Sequence, residues 1–164
     1  MKKLFYHLSL VLCTTLVLSC GDDDDDFLEA PPAFQDQVAQ GFINGKEFLA
    51  MAGRSGVSPF EETEISVELT GLEITDICDE FFIEGLRLFF SVPNEVGLYR
   101  LGRNEYSITL FDPEETLNII ALDGAIEIET IDARDGGSVT GRILGVVDEG
   151  NVVNGNFNAD YCVQ

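Results

Sequence analysis

The chain has 164 residues, with 30 Asp and Glu against 9 Lys and Arg, a formal net charge of −21, four cysteines, one histidine and no tryptophan. That length supports a single core of ordinary size. The acidity excludes nucleic acid as a partner, because phosphates need a basic surface.

Met1-Lys2-Lys3 is a basic start, and residues 4–18 are almost wholly apolar. As a helix this run would span about 22 Å, short of the ~30 Å hydrocarbon core, so it reads as a secretory signal rather than a membrane span. Its end, Leu16-Val17-Leu18-Ser19-Cys20, resembles the bacterial lipobox, with Val17 and Leu18 departing mildly from the commonest pattern. The resemblance implies cleavage before Cys20 and acylation of its sulfur, and several acyl chains make a stable anchor. Asp22, Asp23, Asp24, Asp25 and Asp26 follow Gly21 without a break. Adjacent carboxylates repel and cannot pack, so this stretch reads as a solvated tether. It also looks like the acidic signal that follows the lipidated cysteine in Bacteroidota lipoproteins, which implies export to the cell-surface side of the outer membrane, with the periplasm-facing leaflet as the alternative. The expected organisation is a signal peptide over 1–19, a lipidated cysteine with an acidic, Pro-containing linker over 20–40, and one all-β domain over 41–164.

Cleavage before Cys20 removes two lysines, Cys13 and His7, the single histidine, and brings the net charge to −23. Imidazole bases, Ser–His and Cys–His pairs and His-ligated metals are then excluded. Cys78 and Cys162 remain, and an even pair in an exported protein predicts a disulfide.

From Phe42 onward the pattern is strand and turn. Asn44-Gly45 between Phe42-Ile43 and Phe48-Leu49 predicts a tight hairpin. Residues 64–69 and 125–129 alternate apolar with acidic, as half-buried antiparallel strands do. The segment 83–90 is apolar on both faces towards its end, which predicts a central strand covered on both sides, with an exposed aromatic strip as the alternative. Gly102-Arg103-Asn104 predicts a turn between strands over 98–101 and 106–111. Asp112-Pro113, Asp123-Gly124, Asp135-Gly136-Gly137 and Glu149-Gly150-Asn151 punctuate the rest. Over 153–161, Val153, Gly155, Phe157, Ala159 and Tyr161 share one face, and Asn154, Asn156, Asn158 and Asp160 the other. Eight to ten short strands predict an antiparallel β-sandwich, with an up-and-down β-barrel as the alternative. The plan resembles small Bacteroidota lipoproteins of unknown function, through Ile43-Asn44-Gly45-Lys46 and Val153-Asn154-Gly155-Asn156-Phe157. That resemblance implies no catalytic residues.

Candidate chemistry is sparse. Gly53-Arg54-Ser55-Gly56 misses the Gly-x-Ser-x-Gly spacing of a nucleophile elbow and reads as a loop. A hydrolase built on two carboxylates needs only well-placed acids, which discriminate nothing here. Weak calcium candidates are Asp76, Asp79 and Glu80, and Asp132 with Asp135, although neither stretch matches an EF-hand loop. No other cofactor is expected. Arg100 and Arg103 beside Tyr99 and Tyr106 form a candidate recognition patch, with Phe89 as a further contact. Arginines paired with neighbouring acids are the alternative. The expected function is non-catalytic: a surface-anchored interaction module or accessory subunit of an outer-membrane complex. Binding of a small ligand or glycan is the alternative.

Overall fold

A computed structural model describes residues 32–163, all within the unit Pro31–Gln164. The acylation site expected at Cys20 and the export signal at Asp22 to Asp26 lie outside the described residues. The described chain is all-β, with eleven strands: β1 (Gln40–Ile43), β2 (Lys46–Leu49), β3 (Ala52–Val57), β4 (Glu64–Thr70), β5 (Arg87–Pro93), β6 (Gly97–Arg100), β7 (Ile108–Asp112), β8 (Leu117–Ala121), β9 (Asp123–Ile131), β10 (Ser138–Asp148) and β11 (Asn151–Tyr161). One short 3₁₀ turn, Ile77–Asp79, sits between β4 and β5.

The strands form a curled sheet in the order β6-β9-β10-β11-β3-β4-β5-β7-β8, with the β1–β2 hairpin flanking β11. The pairs are antiparallel except β11 with β3, where Asp160 and Tyr161 run parallel to Arg54 and Ser55. Curling brings the ends of the sheet together over one core, as in a sandwich or half-barrel. A β-carbon on Gly145 of β10 would meet Ile108 of β7 and Ala121 of β8.

The alternation of apolar residues selects which face closes. Ile65, Val67 and Leu69 of β4, Leu88, Phe90 and Val92 of β5, and Ile126 and Ile128 of β9 are all buried. Phe90 meets Phe157 of β11 edge-on, ring centroids 5.7 Å apart. Each such buried side chain contributes about 2 kcal/mol.

The Asn44-Gly45 turn forms as expected, with φ of 53° and 71°, the backbone of a primed hairpin turn. Its side chains also do more than turn the chain. Asn44 Nδ2 and Lys46 Nζ donate to Oδ2 of the buried Asp112 at 2.9 and 2.7 Å, which ties the hairpin to the end of β7. The hydrogen bond from Asn44 and that from Lys46 hold the Asp112 carboxyl below its ordinary range. A group whose pKa is depressed by folding contributes stability that is present above its unfolded pKa and lost as pH falls through the folded value. The substitution Asp112→Asn should therefore cost about 2 kcal/mol near neutral pH. Urea midpoints of the two proteins should converge as the pH is lowered below about 4.

Three sequence expectations are corrected. Residues 53–56 are not a loop but the middle of β3. The two glycines suit a crowded strand: a β-carbon on Gly53 would lie 2.5 Å from the Leu69 side chain. Ser55 Oγ donates to the Ala159 and Asp160 carbonyls of β11. The segments on either side of Gly102-Arg103-Asn104 do not form a hairpin. β6 pairs with β9 and β7 with β5 and β8, so residues 101–107 carry the chain from one end of the sheet order to a strand next to the other end. Finally, β5 is central but not covered on both sides, since Phe89 is 38 % exposed on its outer face.

In the stretch expected as the end of the linker, Asn154 grips the backbone at Ala33 and Gln35 through its side chain. Asn156 bonds the backbone of Gln37 and Ala39.

Candidate functional site

The site grows from the outward residues of β3, β4 and β5. Register sets Arg54 opposite Glu68, Glu68 opposite Phe89, and Ser66 opposite Ser91. Neighbouring strands lie about 4.8 Å apart, so these side chains touch across the sheet. Arg54 donates from Nε and Nη2 to Glu68 Oε2 at 2.9 and 2.7 Å, and Arg87 Nη1 donates to Oε1 at 3.1 Å. One carboxylate thus holds two guanidinium groups. That of Arg87 also lies 4.7 Å from the Phe111 ring centroid and 5.4 Å from that of Phe82. The Ser66 and Ser91 hydroxyls bond each other at 2.8 Å.

Two loops wall this floor. Residues 71–86 are pinned by the buried Ile77 and Ile83, by the hydrogen bond from Arg54 Nη1 to the Glu80 carbonyl at 2.5 Å, and by the Cys78–Cys162 disulfide. The bridge joins the 3₁₀ turn to the end of β11 across a Cα–Cα distance of 5.3 Å. The opposite wall is residues 58–63, where the buried Ser58 bonds the Glu64 carbonyl and Phe60 projects. Between them lies a groove of about 640 Å³ lined by Phe60, Ser66, Glu68, Arg87, Phe89 and Ser91, among others. Phe60 is 93 % exposed, Phe81 99 % and Phe82 62 %. Glu68 is the one carboxylate among the groove's described lining residues.

The expected recognition residues are scattered. Tyr99 and Tyr106 do meet, with ring centroids 5.1 Å apart, but both pack against the core, and the Tyr99 hydroxyl donates to the Glu95 carbonyl at 2.8 Å. Arg100 ends β6 opposite Ala125, and Arg103 stands exposed in the following turn. Phe89 belongs to the groove instead. Of the calcium candidates, Asp76, Asp79 and Asp135 line one shallow cleft beside the disulfide, together with Asp160. Asp132 is engaged by Arg134, which donates from Nε and Nη2 at 2.6 and 2.7 Å. Among the described residues, no group of three or more Asp, Glu, His or Cys is placed to hold a cation.

Sequence reasoning missed Arg54, Glu68, Arg87, Phe60, Phe81 and Phe82. Two signals pointed to the last three: Phe60-Glu61-Glu62, and Asp79-Glu80-Phe81-Phe82. Both set aromatic rings among acids outside any strand periodicity. Comparison with family models, curated proteins and solved structures finds no match to this chain.

Proposed function

We propose that the chain is a lipid-anchored, surface-exposed, non-catalytic module that docks on an outer-membrane protein through the groove face of β3, β4 and β5. The anchor rests on Cys20 and its acidic sequel. The docking face rests on one observation: the exposed rings of Phe60 and Phe89 line one groove, and the exposed Phe82 ring lies against the guanidinium of Arg87, which lines it too. Exposed rings in one patch are what a partner would cover.

Cross-linking on intact cells through a C-terminally tagged chain tests this reading. One stoichiometric partner is expected, with cross-links mapping to residues 58–63 and 78–91. The joint substitution of Phe60, Phe81 and Phe82 by serine should abolish that product while membrane association persists. Cys20→Ala should abolish both. A partner captured equally well without the three rings would defeat the docking face. A second reading, saccharide binding, is favoured by the Ser66–Ser91 hydroxyl pair and the planar Arg–Glu array beside Phe89. It predicts no cross-linked partner and a rise in melting temperature with a soluble glycan.

A further inference from the structure

We infer that the groove face takes a cationic segment of a partner polypeptide, apolar at its centre and bearing arginine or lysine at its edges. The inference rests on the groove face being the contact surface and adds the chemistry of what it contacts.

The floor is internally paired, two guanidinium groups on one carboxylate, and keeps one positive charge in excess. Glu68 is shared by Arg54 and Arg87, and the three side chains are only 17, 26 and 15 % exposed. The walls are different. Glu61 and Glu62 adjoin Phe60, and Asp79, Glu80 and Glu84 adjoin Phe81 and Phe82, all of them exposed. The two loops beside the groove therefore carry exposed rings next in sequence to exposed carboxylates, and these loop acids form an acidic rim. An anionic partner, an anionic membrane surface or a second copy of this acidic chain would meet like charge at that rim. A guanidinium or ammonium would meet both a carboxylate and the negative face of a ring. The fold already contains this arrangement, since Arg87 lies between the Phe82 and Phe111 rings while bonded to Glu68. Phe60 and Phe81 offer the same partners to an arginine from outside.

The test uses the full chain in non-ionic detergent and a short fluorescent peptide alternating leucine with arginine, with serine and glutamate versions as controls. Binding is read by anisotropy. The arginine peptide should bind in preference to both controls. The combination Glu61→Gln, Glu62→Gln, Asp79→Asn and Glu80→Gln should weaken it about tenfold or more, whereas the equal charge change Glu95→Gln, Glu105→Gln, Glu115→Gln and Glu149→Gln should change it less than about twofold. Phe60→Ser with Phe81→Ser should weaken it as the rim variant does. Equal losses in the rim and distal variants would overturn the inference, because bulk charge would then explain the binding. A serine peptide bound as tightly as the arginine one, and lost with the rings, would overturn the cationic partner while leaving the docking face intact. No binding of the arginine peptide would also overturn it, and the cross-link map would then decide the docking face separately.

Discussion

Replacing Cys78 and Cys162 together by serine is expected to lower the melting temperature by about 15 °C. The bridge spans 84 residues of sequence, so it encloses all of β5 to β11. Closing so long a loop in the unfolded chain removes entropy worth about 4.5 kcal/mol in the chain-entropy account. Local loss adds to this. Cys78 is exposed, and its loop otherwise hangs on Ile77, Ile83 and the Arg54–Glu80 bond. At the other end, the backbone N–H of Cys162 donates a hydrogen bond to the Ser55 carbonyl at 2.8 Å. Thermal unfolding followed by circular dichroism, with and without reductant, measures the effect. Reduced wild type and the serine variant should melt together. A drop under about 5 °C would mean that the loop's other contacts already restrict the unfolded chain. The same variant should loosen the wall that carries Phe81 and Phe82, so partner capture should weaken well below the melting point.

The parts of this fold legible in the sequence are those with a local cause. Period-two alternation placed β4 and the faces of β11, because burying one side of a strand leaves no other pattern. Asn44-Gly45 gave its hairpin because few residues accept two successive positive φ angles. The disulfide follows from counting, once the expected signal peptide and the expected acylation site are allotted two of the four cysteines. What failed depended on distant partners. Gly102-Arg103-Asn104 turns a chain equally well inside a hairpin or between distant strands, and only the pairing of β6 with β9 decides. Residues 53–56 looked like a loop because Gly, Ser and Gly are poor strand formers. They are small because β11 and Leu69 crowd them, which no window around residue 54 reveals.

The candidate site was less legible for the same reason. Arg54, Glu68 and Arg87 come from three strands and meet only through register. Tyr99 and Tyr106 looked like a display because they flank a turn with two arginines, yet their rings are absorbed by the core. The aromatic loop tips were visible in the sequence but carried no period, and a search for strands passes over residues that belong to none. Phe89 was noticed for the apolar run around it. It lies instead on the open face of β5, lining one groove with Phe60 from a distant loop.

Gly124→Ala is expected to cost about 4 kcal/mol, from backbone strain and overpacking together. The chain leaves β8 at Ala121 and enters β9 at Asp123, so one residue separates a strand at one end of the sheet order from a strand near the other. Gly124, the second residue of β9 just past that corner, has φ of 120°, and a β-carbon there would lie 2.0 Å from the Leu144 carbonyl oxygen of β10. The obstruction is backbone, so no side chain can swing aside; β9 must move off β10. Gly136 separates the two costs. It has φ of 72° with nothing within 4 Å of an added β-carbon, so Gly136→Ala should cost only the left-handed conformation, about 1 kcal/mol. Urea midpoints of the two variants, measured together, give the difference directly. A gap of about 3 kcal/mol is the weight of the clash and the β9–β10 register that depends on its absence. Equal costs would instead mean that the corner relaxes around the methyl group, and that the tightness of this crossover is not what holds the sheet's curl.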